Sequence, residues 1–315
     1  MTNGEMSSSG PRVGTGLRLL APPWLVFTVL TLLLWGGWGL VSKPLSNALS
    51  PWQVQAFSSL GLLPVIAVLA KGTKPRANAN SRRGFWLAFS AGLLGSLGNV
   101  AYYQALAAGG KAAAVTPLTA LYPLVTIGLA LVLLRERLNT IQGAGAALSL
   151  AAVYCFNVGA GSAWLTPWLA VALIPIALWG VGALLQKLAT NEISAELATT
   201  AFLLGQLPVA LVTPLLVPMN WGLSATTWGL LLLLGLLFAL GNLTLIYAYG
   251  TGGKAAIVTP LASLYSLVTI PLAVVLLGER ISGREGLGIA LALMAALALA
   301  WESPATKSTV NPAQP

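Results

Sequence analysis

Residues 109–137 read GGKAAAVTPLTALYPLVTIGLALVLLRER, and residues 252–280 read GGKAAIVTPLASLYSLVTIPLAVVLLGER. Laid one over the other without gaps, they agree at about 22 of 29 positions. Chance does not produce such agreement, so one part of the chain is a copy of another. The register extends outward from this stretch. Gly98-Asn99 falls on Gly241-Asn242, and a one-residue adjustment brings Trp35-Gly36 onto Trp179-Gly180, Lys43 onto Lys187 and Pro64 onto Pro208. The whole unit is duplicated.

The 315 residues are 57% apolar and only 7% charged, whereas soluble domains are about a quarter charged. Lipid must be the solvent for most of the chain. Apolar runs of roughly 20 residues, enough to cross a hydrocarbon core of about 30 Å as helix, recur throughout. In the first unit they span Trp24 to Ser42, Pro51 to Ala70, Gly84 to Ala107, Ala112 to Leu134 and Thr140 to Val158. In the second they span Leu165 to Gln186, Ser194 to Val217, Ala225 to Tyr249, Ala255 to Leu277 and Gly283 to Trp301. None alternates apolar with polar residues as barrel strands do. The expected fold is an all-α integral membrane protein whose ten transmembrane helices form two five-helix repeats. Five is odd, so the second repeat enters the membrane from the opposite face and the repeats are inverted. The division that follows is a cytoplasmic N-terminal segment at 1–23, repeats at 24–158 and 163–301, and a disordered cytoplasmic tail at 302–315. The N-terminal segment lacks the short apolar core of a removable signal peptide.

A net charge of +9 would suggest nucleic acid in a soluble protein, but here the basic residues sit between apolar spans and no nucleic-acid partner is expected. With the N-terminus inside, the inside set is Arg12, Arg18, Lys71, Lys74, Arg76, Arg82, Arg83, Arg135, Arg137, Lys187, Lys254 and Lys307. The outside set is only Lys43, Lys111, Arg280 and Arg284. The positive-inside rule therefore places both termini in the cytoplasm of a cell whose inner membrane holds the chain. Histidine and aspartate are absent and Cys155 is the single cysteine. That disfavours imidazole chemistry, thiolate metal sites and most enzyme classes. We expect no catalytic residues, cofactor or metal.

The motifs carry a resemblance. Trp35-Gly36 with Lys43, then Leu134-Arg135-Glu136-Arg137-Leu138, and their copies Trp179-Gly180 with Lys187 and Leu277-Gly278-Glu279-Arg280-Ile281, resemble the EamA family of the drug/metabolite transporter superfamily. The resemblance runs from about Trp24 to Trp301. It implies a ten-helix carrier with inverted repeats, a central cavity, and export or uptake of amino acids, nucleosides, sugars or other metabolites. We expect a secondary transporter, an exporter by alternating access, with a small-molecule substrate and the bilayer as partners; a homodimer is left open. The rival class is a non-transport membrane scaffold or assembly protein. Two departures stand out: Arg135 replaces the family's Gly, and Pro123 has Ser266 as its copy, so the two halves are expected to flex differently.

Inverted-repeat carriers bind substrate near the bilayer midplane, between repeats. Trp35 lies roughly 17 Å into its span at 1.5 Å per residue, and Trp179 at comparable depth, where interfacial anchoring does not explain them. Asn99 and Asn242 fall mid-helix, and an amide there needs either substrate or another helix as partner. Tyr102, Tyr103, Gln104, Tyr247 and Tyr249 are candidates for a hydrogen-bonding wall, with some of them belonging to the interfacial belt. Thr116-Pro117 with Tyr122, and Thr259-Pro260 with Tyr265, combine a helix-weakening proline with hydroxyls and read as a lining bend or a packing kink. Lys111 and Lys254 begin their helices at the cation-disfavoured end, so they read as anion contacts or as snorkelling loop lysines. Gln53, Gln55 and Gln206 rank lower. Glu136-Arg137 and Glu279-Arg280 are expected to fix loop structure without touching substrate. The Gly and Ala crowding of Gly143, Gly145, Gly286 and Gly288 suits close helix packing.

Overall fold

The computed structural model of the chain describes residues 22–71, 80–134, 139–156, 166–253, 255–299 and 301. The expected N-terminal segment before residue 22, the tail at 302–315, Arg135, Glu136, Arg137 and Lys254 lie outside the described residues. Every described element is helical. The first unit comprises α1 (Pro23–Ala48), α2 (Pro51–Ser58), α3 (Leu63–Ala70), α4 (Ser81–Ala107), α5 (Ala112–Thr119), α6 (Pro123–Leu134) and α7 (Thr140–Phe156). The second comprises α8 (Pro167–Glu192), α9 (Ala195–Leu216), α10 (Ala225–Gly250), α11 (Ala255–Ser263), α12 (Ser266–Leu276) and α13 (Gly283–Leu299).

Local chemistry sets the ends. Pro23, Pro51 and Pro167 sit in the first turn of α1, α2 and α8, where a missing N–H costs nothing. Side chains of Ser50, Asn80, Ser194, Ser224 and Ser282 accept from N–H groups of the turns they open, as N-caps do. The Gly-Gly-Lys turns that follow α4 and α10 both need a left-handed residue, supplied by Gly109 at φ 97° and Gly252 at φ 98°.

Among the described residues eight helical segments are long and apolar enough to cross a membrane: 23–48, 51–70, 81–107, 112–129, 167–192, 195–216, 225–250 and 258–276. α7 and α13, at 17 residues each, reach only about 26 Å at 1.5 Å per residue, and they pack on each other. A Cβ on Gly145 would meet Leu299 and Ala298, and one on Gly288 would meet Phe156 and Cys155, whereas Gly143 has nothing within 4 Å and Gly286 only Ile281 at 3.8 Å, so two of the four expected glycines serve close packing.

The two units interdigitate. α4 runs antiparallel to α8, with Arg83 Nη1 3.3 Å from Glu192 Oε1 at one end and Trp179 Nε1 donating to Gly95 O at 3.3 Å midway. α10 lies along α1 in the same way, Thr31 Oγ1 standing 2.8 Å from Thr244 Oγ1. The third long helix of each unit thus packs on the first of the other. Matching crossings recur elsewhere. A Cβ on Gly92 would overlap Phe202 O, and one on Gly205 would overlap Phe89 O. Gly61 and Gly235 stand in the same relation to Leu232 O and Ser58 O. Only glycine lets these backbones touch.

The fourth long segment of each unit is interrupted at the same place, between α5 and α6 and between α11 and α12. Pro123 opens α6 but Ser266 opens α12. Both halves therefore carry the break, with proline at its start in one and serine in the other. Each break is pinned from the other unit. Thr126 Oγ1 donates to Gly180 O at 2.8 Å, and Thr269 Oγ1 donates to Gly36 O at 2.9 Å. Gly36 sits against Val268 and Tyr265 O, as Gly180 does against Val125 and Tyr122 O.

Candidate functional site

Between the units lies an open cavity of about 610 Å³, its mouth included. Trp35 and Trp38 reach it from α1, Ala91 and Gly95 from α4, and Trp179, Gly182, Ala183 and Gln186 from α8. Phe202 of α9 and Phe238, Asn242, Leu245 and Tyr249 of α10 complete the wall, with Tyr122 and Tyr265 at the two helix breaks. These residues run from the middle of the rods toward one end, where α4 and α9 begin and α8 and α10 finish. We call this the first end.

Two aromatic corners related by the duplication face the space. Trp35 meets Tyr265 edge-on, with centroids 5.9 Å apart. Trp179 meets Tyr122 edge-on at 6.4 Å. Each tryptophan sits at mid-depth because its neighbour Gly36 or Gly180 admits the broken helix of the other unit, and because Gly241 or Gly98 leaves room for its indole.

The wall is polar through the amides of Gln186 and Asn242, the phenols of Tyr122, Tyr249 and Tyr265 and the indole N–H of Trp35. Asn242 Nδ2 donates to Phe238 O at 2.9 Å, which fixes its orientation, while Gln186 Nε2 makes only a 3.5 Å approach to Asn242 Oδ1. Among the described residues no Asp, Glu, Lys or Arg lines the cavity.

The opposite, second end is filled. Trp38 is 3% exposed and stacks on Tyr102 with centroids 4.7 Å apart, with Tyr103, Phe238 and Trp179 around it. Under the register that pairs Trp35 with Trp179, the counterpart of Trp38 is Gly182. One unit therefore plugs the space that the other leaves open. Polar bonds close the same end. Lys43 Nζ donates to Leu106 O and Gly110 O, both at 2.8 Å. Glu279 Oε1 and Oε2 accept from the N–H groups of Ala112 and Ala113 at 2.8 and 2.9 Å, capping α5 where a carboxylate is favoured. Lys111 Nζ donates to Glu285 Oε1 at 2.7 Å and to Arg280 O at 2.7 Å. At the first end Lys187, the copy of Lys43, is exposed and bonds to none of the described residues.

Of the expected site residues, Trp35, Tyr122, Trp179, Asn242, Tyr249 and Tyr265 come together at this cavity. Lys254 lies outside the described residues, and the remaining ones do not line the cavity. Tyr102 and Tyr103 are buried in the plug, Tyr102 Oη lying 3.0 Å from Thr116 Oγ1. Asn99 lies behind Trp38 in a small cleft with Gln55 and Gln206, and its Oδ1 has no hydrogen-bond partner. There Gln55 Nε2 donates to Gln206 Oε1 at 3.2 Å, joining the two units. Gln104 is exposed on the outer face of α4, because its neighbours Tyr102 and Tyr103 take the inward positions. Tyr247 turns to α9, where its hydroxyl donates to Glu196 Oε1 at 2.9 Å. Lys111 is neither an anion contact nor a free snorkelling side chain, since Glu285 neutralises it. Glu279 does more than shape its own loop, because it holds a helix of the other unit.

Trp38, Gln186, Phe202 and Phe238 are wall residues that the sequence did not single out. Gln186 marked the end of its apolar run, yet α8 continues to Glu192, which leaves the amide well inside the helix. A helix-length argument running past Lys187 would have found it.

The profile of the EamA-like transporter family matches residues 22–158 and 166–301. No curated protein matches the chain. Among solved structures 23 chains match. One crystal structure superposes with a TM-score of 0.62 at 21% identity, covering 87% of this chain and 95% of the other, and that likeness concerns the fold.

Proposed function

Because the chain belongs to the EamA-like transporter family, whose members are generally carriers of small molecules, and is a multi-pass membrane protein, we propose that it moves a small metabolite by alternating access. In this reading the eight long segments and the α7/α13 pair make ten spans, and the odd number per unit inverts the second repeat. The observation that carries it is the cavity at mid-depth, which reaches toward the first end, while Trp38 and Lys43 fill and tie the second end where their copies Gly182 and Lys187 do neither. Swapping the conformations of two such units would close the first end and open the second. In this reading the excess of basic residues favours a cytoplasmic first end, and solute loaded there and released at the second end would be exported. A scaffold packed with its own side chains at the centre would have no such volume.

Side-specific alkylation tests this. With Cys155→Ala as background, Ala183→Cys should react with a membrane-impermeant maleimide added from the cytoplasmic face of oriented vesicles. Reaction of that cysteine from neither face would sink the reading.

A further inference from the structure

We infer that the cavity is built for an uncharged solute with a flat ring and an amide or lactam edge, an inference that rests on the transport reading. Three features of the wall converge on that chemistry. First, the corners Trp35/Tyr265 and Trp179/Tyr122 are copies of each other, so aromatic surface faces the space from both units. A planar ring between them gains stacking or edge contacts on each side, and a puckered or branched solute does not. Second, charge is missing. The cavity-lining residues include no acid or base. Lys43 is bound to backbone carbonyls at the closed end. An ammonium or carboxylate entering this space would lose water and find no countercharge, which costs far more than an aromatic contact returns. That argument removes zwitterionic amino acids and organic anions, although the resemblance of the motifs alone admits them.

Third, the hydrogen-bonding edge is specific. Gln186 is 6% exposed, and its carbonyl makes no hydrogen bond with the described residues. Its amide nitrogen has only the long 3.5 Å approach to Asn242. One donor and one acceptor are thus presented side by side, and exchanging oxygen for nitrogen in the assignment leaves one of each. The complementary partner is another donor-acceptor pair on one edge, as in a primary carboxamide or a ring lactam. Asn242, tied to Phe238 O, holds the glutamine in place from below.

The test uses neutral solutes beside close charged relatives: uracil and orotate, which keeps the ring lactam and adds a carboxylate, nicotinamide and nicotinate, and benzamide and benzoate, in which the amide edge becomes a carboxylate, with phenylalanine as the zwitterion. Detergent-purified protein is titrated with each, reading thermal stability and tryptophan fluorescence, since a ligand that binds only the folded state raises its apparent stability. At least one neutral member should raise the melting temperature and perturb fluorescence saturably, its charged twin at the same concentration should not, and Gln186→Met and Gln186→Glu should each weaken that binding about tenfold or more. Preference for a charged twin or for phenylalanine, equal binding by Gln186→Met, or no response to any neutral member overturns the inference. The cavity-alkylation experiment is indifferent to ligand chemistry, so substrate class and transport reading fail separately.

Discussion

Gly182→Trp places in the second unit the plug that Trp38 forms in the first. The site can take it. A Cβ at Gly182 meets only Ala91 O at 3.5 Å and Ala91 Cα at 4.0 Å, which is ordinary contact, and Gly182 lies on the cavity wall, so the indole beyond it enters the cavity. Burying an indole removes roughly 150–250 Å² from solvent, an upper bound of about 4–6 kcal/mol at 25 cal/mol per Å². Fixing the side chain takes back about 1 kcal/mol. The variant should therefore melt no lower than the parent while losing its open cavity. The assay is the alkylation rate of Ala183→Cys in the Cys155→Ala background, with and without Gly182→Trp, together with a melting curve for each. A drop in rate of at least tenfold at unchanged or higher melting temperature is the expected result. Gly182→Ala, which adds one methyl in open space, should change neither. A folded Gly182→Trp protein that labels as fast as the parent would refute the claim that the Trp38/Gly182 difference decides which end is open.

The closed end gives three more expectations. Glu279→Ala uncovers the N–H groups of Ala112 and Ala113, and with the carboxylate half-exposed the loss should be about 1–3 kcal/mol, read by chemical denaturation, with faster alkylation of second-end cysteines. Lys43→Met leaves Leu106 O and Gly110 O without their donor and should likewise speed second-end labelling, so an unchanged rate would mean those bonds do not hold the end shut. Gly235→Ala drives a methyl into Ser58 O and should cost 1–3 kcal/mol or more, lowering the yield of folded protein, whereas Gly229→Ala, with nothing within 4 Å, should be neutral in the same expression and melting assays.

The duplication, the helical class and the membrane environment were legible in the sequence, because each depends on composition or on a register that survives copying. So was the depth of Trp35 and Trp179, which follows from counting residues along a helix. Rotation about the helix axis was not. Tyr102, Tyr103 and Gln104 are three consecutive residues, and only the packing of α4 between α8, α9 and α1 tells which of them face inward. The same holds for Lys111, whose partner Glu285 is 174 residues away and has Gln142 as its copy, so no repeat argument reveals it.

What the sequence determined by itself is therefore a pair of equivalent apolar units in a bilayer. Whether equivalent residues occupy equivalent surroundings was decided only by the tertiary structure. Trp38 fills the space that Gly182 leaves, Lys43 is bound where Lys187 is free of the described residues, and Asn99 is sealed where Asn242 faces the cavity. Packing breaks the symmetry that copying made, since a core at close-packed density accommodates a side chain or a cavity at a given place, never both.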